Sequence, residues 1–307
     1  MKSNSIVKKL MTLLLLPVLT PFFQGCIPKG SASVKRPEIK VNPWKELTVK
    51  STESGSDYKY MYLKGPSQDA PVLLLIHGGI FDERIWLYTT DLNKNFNVYA
   101  LNYPDNSLFY TAHPSDWGKL IKDFTVAAQI KPDYLAAVSN GAYGAIEYLL
   151  QTPDNSVKGL ALISTVMYAV SDEEVKGRTR IANLALRLSP AKLLGLINSR
   201  VSKTDFEKPD GDITQKEIFY VRPYPYYYEI FKTAQNQKDK KLDTQKIKIP
   251  VIVIHGSEDS TMPVHAARLT VKEFPNAEFK EFKGYEHDLV FSNGKEIAKT
   301  LAEFFTR

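Results

Sequence analysis

The sequence predicts an α/β protein: a mostly parallel central sheet with helices on both faces and a helical cap inserted late in the chain. Three observations carry this. Short, continuously apolar runs such as Val72-Leu73-Leu74-Leu75-Ile76 suit parallel strands covered on both sides. Helix-like apolar patterns alternate with these runs along the chain. One run, Tyr134-Leu135-Ala136-Ala137-Val138, stops abruptly at Ser139-Asn140-Gly141 and passes at once into the helical pattern Ala142, Ala145, Ile146, Leu149.

Taken in order, the chain opens with Lys2, Lys8 and Lys9, then an apolar run from Leu10 to Phe23 broken by Pro17 and Pro21. The run is shorter than the roughly 18 residues a bilayer-spanning helix needs. Its layout over residues 1–25 is that of an export signal. Cys26, the single cysteine of the chain, stands directly after Gly25. Phe23-Gln24-Gly25-Cys26 resembles the lipobox of bacterial lipoproteins. That resemblance implies that Cys26 is lipidated, begins the mature chain and anchors it to a bacterial membrane in the cell envelope. Phe23 and Gln24 replace the usual aliphatic and small residues, so ordinary signal cleavage and an uncleaved apolar anchor stay open. Residues 26–43 carry Pro, Ser, Gly and Lys without periodicity and read as a tether.

The formal net charge of +6 falls to +3 without residues 1–25, which hold three lysines and no acid. That balance is ordinary for a globular domain and argues against a nucleic-acid surface. No cysteine remains after Cys26, which excludes internal disulfides, a thiol nucleophile and a cysteine metal site from the body. Roughly 260 residues follow the tether, enough for one large α/β domain with a sizeable core.

Within that domain, residues 44–63 read as two strands around a turn at Glu53-Ser54-Gly55-Ser56-Asp57. A buried strand at 71–76 follows and ends in His77-Gly78-Gly79. A helix-like stretch with Ile85, Trp86 and Leu92 leads to a second buried run, Phe96 to Leu101. A helix over 117–130 leads to the strand before Ser139, and Val157 to Val166 is again strand-like. Residues 168–246 break the rhythm with helical patterns, a polar run and the aromatic segment Phe219 to Phe231. This segment reads as a cap over the carboxyl ends of the strands, between core segments 44–167 and 247–307. Alternation then resumes with a strand at 251–254, a helix at 266–274, a strand at 278–282 and a last helix at 295–305.

Ser139 is the candidate nucleophile, since the small residues Ala137 and Gly141 allow a turn sharp enough to lift its side chain clear. Two further stretches follow strand ends. Ile254-His255-Gly256-Ser257-Glu258-Asp259 supplies a carboxylate, and Lys283-Gly284-Tyr285-Glu286-His287-Asp288 supplies a histidine. Alone, Asp259 could cap a helix starting near Met262, Glu258 or Asp288 could be the acid instead, and His287 could be a surface histidine. Jointly, and in this order, the motifs resemble the α/β-hydrolase superfamily over roughly residues 45–307, less the insertion.

The resemblance implies a catalytic triad of Ser139, Asp259 and His287. It also implies an oxyanion hole from the backbone N–H of Asn140 and of Gly79, with Ile80 as the alternative second donor, and a structural role for His77. Phe81 and Trp86, with Ile80, Tyr224 and Tyr227, are candidates for the substrate pocket. The chemistry is cleavage of a small-molecule carboxylic ester through an acyl-enzyme, with no metal or cofactor implied. An aminopeptidase or amidase is the alternative, with Glu173, Glu174, Glu207 and Glu229 as cap carboxylates for a substrate amine; a non-catalytic binding lipoprotein is the other. One departure distances the chain from the best-known peptidases and epoxide or haloalkane enzymes. Where many members carry an Asp-x-x-Gly-x-Gly-x-Ser loop, this chain has Asn102-Tyr103-Pro104-Asp105-Asn106-Ser107.

Overall fold

The computed structural model of the protein describes residues 43–78, 82–104, 117–167 and 242–307. Among these, eight strands form one sheet in the order β1-β2-β4-β3-β5-β6-β7-β8. β1 (Lys45–Lys50) and β2 (Asp57–Leu63) make the expected antiparallel hairpin. β2 then pairs antiparallel with β4 (Asn97–Leu101). The remaining pairings are parallel, through β3 (Val72–Ile76), β5 (Tyr134–Val138), β6 (Gly159–Ile163), β7 (Val251–Gly256) and β8 (Ala277–Phe282). Leu73 to Ile76, Leu135 to Val138 and Leu160 to Ile163 are fully buried. These are the unbroken apolar runs, and both their faces are covered.

α1 (Trp117–Ala127) and α2 (Gly141–Gln151) pack against each other. α3 (Val264–Thr270) lies against β7, and the short α4 (Leu289–Ser292) precedes α5 (Gly294–Phe305). α5 brings Phe305 onto Tyr134 of β5, with the rings stacked and their centroids 4.6 Å apart. The chain thus carries the expected α/β architecture. Its winding reverses at β3: β4, the next strand in the chain, lies on one side of it and β5, the one after, on the other. The crevice beyond the carboxyl ends of β3 and β5 is therefore the switch point where such sheets bind ligands.

Three elements differ from expectation for identifiable reasons. Ile85, Trp86 and Leu92 sit on two 3₁₀ helices, Glu83–Trp86 and Thr90–Lys94, rather than on one α-helix. Asp82 caps the first, its Oδ1 accepting the Arg84 N–H at 3.0 Å, and its carboxylate pairs with the buried Arg84 guanidinium at 2.7 Å. The helix expected over 117–130 stops at Ala127 because Gln129 turns left-handed, φ 55°. Ile130 N–H then reaches back to Thr125 O and Gln129 N–H to Val126 O, closing a Schellman motif. The helix expected over 266–274 begins at Val264 and tightens into a 3₁₀ turn over Val271–Glu273. The signal, Cys26 and tether expected over 1–43, except Pro43 itself, and the cap except its last residues, lie outside the described residues.

Candidate active site

Ser139 follows β5 with a left-handed backbone, φ 51°. That conformation costs an L-residue about 1–2 kcal/mol. It is held by Ser139 N–H donating to Ile163 O across the sheet (2.8 Å) and by Ala142 N–H returning to Ser139 O (3.1 Å). Gly141 is dictated by contact: a Cβ there would stand 2.3 Å from the His77 carbonyl oxygen. Asn140 has right-handed backbone angles (φ −61°, ψ −22°) and opens α2. Its N–H is thus among the first-turn donors that have no partner within the helix.

His77, at the end of β3, is committed elsewhere. Its Nε2 accepts the Tyr103 N–H at 3.2 Å, which leaves Nδ1–H to donate to Gly78 O at 2.6 Å. The ring ties the ends of β3 and β4 together, the structural role the resemblance implied.

The β7 and β8 loops meet beside Ser139. His287 Nε2 lies 3.1 Å from Ser139 Oγ, and His287 Nδ1 lies 2.8 Å from Asp259 Oδ2. Ser139, Asp259 and His287 are all buried. Proton on Nδ1 satisfies both contacts: Nδ1–H donates to the carboxylate, and Nε2 accepts from the serine hydroxyl. Asp259, the acid the resemblance implied, is bonded to the His287 ring. Asp259 does not cap a helix near Met262, because α3 opens only at Val264, after Pro263, without a side-chain cap. Its Oδ1 accepts the N–H groups of Thr261 (2.9 Å) and Met262 (2.7 Å), in the turn before α3. Oδ1 fixes the carboxylate; Oδ2 faces the ring.

The charges follow this geometry. Burial alone would raise the Asp259 carboxyl, but the His287 charge and hydrogen bonds from His255 and His287 hold it well below the usual carboxylate range. Burial alone would lower the His287 imidazole. The charge and hydrogen bond of Asp259, with Asp288 and Glu286 adding, raise it above its ordinary value instead.

Several hydrogen bonds knit the two loops. Ser257 N–H donates to Phe282 O (2.9 Å), Glu258 N–H to Tyr285 O (3.0 Å), and Ser260 Oγ–H to Glu286 Oε2 (3.0 Å). Gly256 permits this approach, because a Cβ there would lie 2.2 Å from Tyr285 O. Gly256→Ala must push the His287 loop away. A displacement near 1 Å at a reacting group costs about 10²-fold in rate. Steady-state kinetics should show that loss in kcat, together with a lower melting temperature. An unchanged kcat would mean that this contact does not position His287.

The other candidates fall differently. Trp86 is fully buried and belongs to the hydrophobic core. Gly79, Ile80, Phe81, Tyr224 and Tyr227 lie outside the described residues. Sequence reasoning gave no role to His255, whose Nε2 lies 3.2 Å from Asp259 Oδ2. The available signal was its place at the head of His-Gly-x-x-Asp, four residues before the acid. Among the described residues, no group of three or more His, Cys, Asp or Glu side chains is arranged to hold a metal ion.

A mostly parallel eight-stranded sheet with a serine elbow at its switch point defines an α/β-hydrolase. The chain belongs to the Hydrolase_4 family, serine aminopeptidase S33, whose model matches residues 109–293, more than half of its 307 residues. It is 21% identical over 275 residues to monoacylglycerol lipase ABHD6 of Mus musculus, covering 81% of this chain and 80% of that protein. Its structure is similar to that of a membrane phospholipase A described as a bacterial virulence factor, with TM-score 0.70, 20% identity and 86% of each chain covered. It is also similar to the esterase RhEst1 from Rhodococcus sp. ECU1013, with TM-score 0.65, 18% identity, and 85% of this chain and 98% of that chain covered. At such identities the structural likeness establishes the fold. The protein is an enzyme of the α/β-hydrolase class.

Proposed function

We propose that this enzyme cleaves a small-molecule carboxylic ester through an acyl-enzyme, with Ser139 as nucleophile, His287 as general base and acid, and Asp259 orienting His287. The observation that carries the reading is the unbroken hydrogen-bonded sequence from Ser139 Oγ through the His287 ring to Asp259 Oδ2, at 3.1 and 2.8 Å. A serine hydroxyl is a weak nucleophile until an adjacent base takes its proton. His287 Nε2 accepts that proton as Oγ bonds to the carbonyl carbon, and the carbonyl electron pair moves onto oxygen. The Asn140 N–H and a donor from the Gly79 loop meet this oxyanion. One such donor contributes about 3–4 kcal/mol to the transition state. Collapse expels the alcohol, which leaves with the proton from His287. Water, deprotonated by the same imidazole, then releases the acid and restores Ser139. Asp259 holds the productive tautomer and stabilises the imidazolium.

Similarity to a monoacylglycerol lipase favours an ester over an amide. The aminopeptidase or amidase reading is kept alive by the description of the family, serine aminopeptidase. It needs an acidic site for the substrate amine, and its candidates Glu173, Glu174, Glu207 and Glu229 lie outside the described residues. A panel of p-nitrophenyl esters and aminoacyl p-nitroanilides separates the two, with a fluorophosphonate probe for Ser139. Ester turnover with labelled Ser139 is the expected result. Turnover of anilides alone would select the aminopeptidase. No turnover and no labelling would leave a binding protein that lacks this chemistry.

The reading extends to location: residues 1–25 direct export, and Cys26 carries the lipid that holds the enzyme to a membrane of the cell envelope. Cys26→Ser is expected to move the protein from the detergent to the aqueous phase on Triton X-114 partitioning. Unchanged partitioning excludes the Cys26 anchor.

A further inference from the structure

The Asp259 oxygen that faces His287 has a second imidazole beside it. His255, on β7, sets its Nε2 3.2 Å from Asp259 Oδ2 and 2.8 Å from Met262 O. Both neighbours are acceptors, so Nε2 carries the proton: it bonds to Met262 O, and Asp259 Oδ2 lies within reach of the same N–H at 3.2 Å. The opposite tautomer would turn a lone pair against a carbonyl and a carboxylate at once. His255 has no exposed surface, and its Nδ1 makes no hydrogen bond among the described residues. Its polar contacts therefore all run through Nε2, toward the acid and the turn that holds it.

We propose that His255 is a positioning residue that tunes His287 through Asp259, by donating its Nε2–H to the carboxylate oxygen that His287 also uses. The inference rests on the Ser139–His287–Asp259 reading above and goes beyond it. Asp259 receives four contacts: Thr261 and Met262 N–H on Oδ1, His255 and His287 on Oδ2. The first two fix its rotation. The His255 donor takes up part of the charge on Oδ2, so that this oxygen pulls less strongly on the His287 proton. Without the donor, the whole charge of Oδ2 acts on His287, and His287 holds its proton to higher pH.

Other charged and titratable groups surround this pair. Glu286 and Asp288 flank His287 in sequence, and Glu258 precedes Asp259. Glu281 of β8 stands in register with His255 and pairs with Arg268 of α3, which also carries the exposed His265. The test leaves all of them in place.

The readout is the pH profile of kcat/KM for a p-nitrophenyl ester on the full-length enzyme. A general base must be neutral, so activity falls as pH drops through the His287 value. The wild-type limb is expected above the ordinary imidazole value of about 6.5. His255→Phe keeps a ring but removes the donor. It is expected to move the limb upward by about half a unit and to lower plateau kcat/KM about tenfold, the size of one lost charge-assisted hydrogen bond. His255→Gln restores an N–H at similar reach and is expected to recover both. A lower melting temperature with unmoved limb and plateau would make His255 a packing residue and overturn the proposal.

Should the Phe variant fail to fold, the wild type decides. Long-range ¹H–¹⁵N NMR should show His255 protonated on Nε2 and bare on Nδ1; the opposite tautomer overturns the proposal. The two readings fail separately. Full ester activity in Ser139→Ala would refute the triad, while the His255 tautomer is read without any turnover.

Discussion

Ser139→Ala is expected to lower kcat for ester hydrolysis by about 10⁴–10⁶-fold, His287→Ala by a similar factor, and the double variant by no more than either alone. The losses are not additive because the two side chains perform one event. Ser139 Oγ needs His287 Nε2, 3.1 Å away, to become a nucleophile, and that nitrogen has no other reaction partner in the step. The residual rate would come from the oxyanion donors and from substrate positioning, which neither substitution touches. Stability separates the two single variants. Ser139→Ala removes only the side-chain oxygen, and the left-handed turn is held by main-chain bonds, so its melting temperature should barely change. His287→Ala leaves the buried Asp259 carboxylate without one of its two imidazole partners, and the protein should melt earlier. A Ser139→Ala enzyme keeping a tenth or more of wild-type kcat would refute the assignment of the nucleophile.

Much of this arrangement was legible in the sequence, because the informative signals are local. An unbroken apolar run such as 72–76 announces a strand covered on both faces. Ala137 and Gly141 announce a turn where side-chain bulk is impossible, and the 2.3 Å approach of the His77 carbonyl to a Cβ at position 141 gives the physical reason. What was not legible depends on pairings that periodicity does not encode. Ile85, Trp86 and Leu92 have helical spacing, yet the first two sit on a 3₁₀ helix that Asp82 caps and to whose Arg84 it is paired. Trp86, a pocket candidate by position, is a core residue by burial. His255 follows the strand expected at 251–254 with no role legible until the turn over 257–262 folds Asp259 and Met262 O back onto its ring. Asp259 as a helix cap gives way because the chain makes a turn over 260–262 and α3 opens only at Val264; one carboxylate oxygen accepts the N–H groups of that turn while the other faces His287.

That division of labour makes Asp259→Asn more telling than removal of the side chain. An amide in this position can face two ways. With its NH₂ toward Thr261 and Met262 it would set donor against two donors, at the places where Oδ1 now accepts at 2.9 and 2.7 Å. At the Oδ2 position the NH₂ group opposes one donor, the His255 N–H, rather than two, so the carbonyl oxygen takes the Oδ1 position and the NH₂ group faces His287 Nδ1, where Oδ2 now lies at 2.8 Å. A donor against Nδ1 makes that nitrogen the acceptor and moves the ring proton to Nε2. His287 then meets Ser139 Oγ with an N–H and cannot take the hydroxyl proton. Loss of the productive tautomer in a serine triad costs about 10⁴-fold in kcat, and Asp259→Asn is expected to lose that much. Because the loop amides keep their acceptor, Asp259→Asn should melt closer to wild type than Asp259→Ala, which abandons both the amides and the rings. Kinetics and thermal melts on the two variants check this together. If Asp259→Asn keeps kcat within tenfold of wild type, Asp259 does not set the His287 tautomer and the acid of the site must be sought elsewhere.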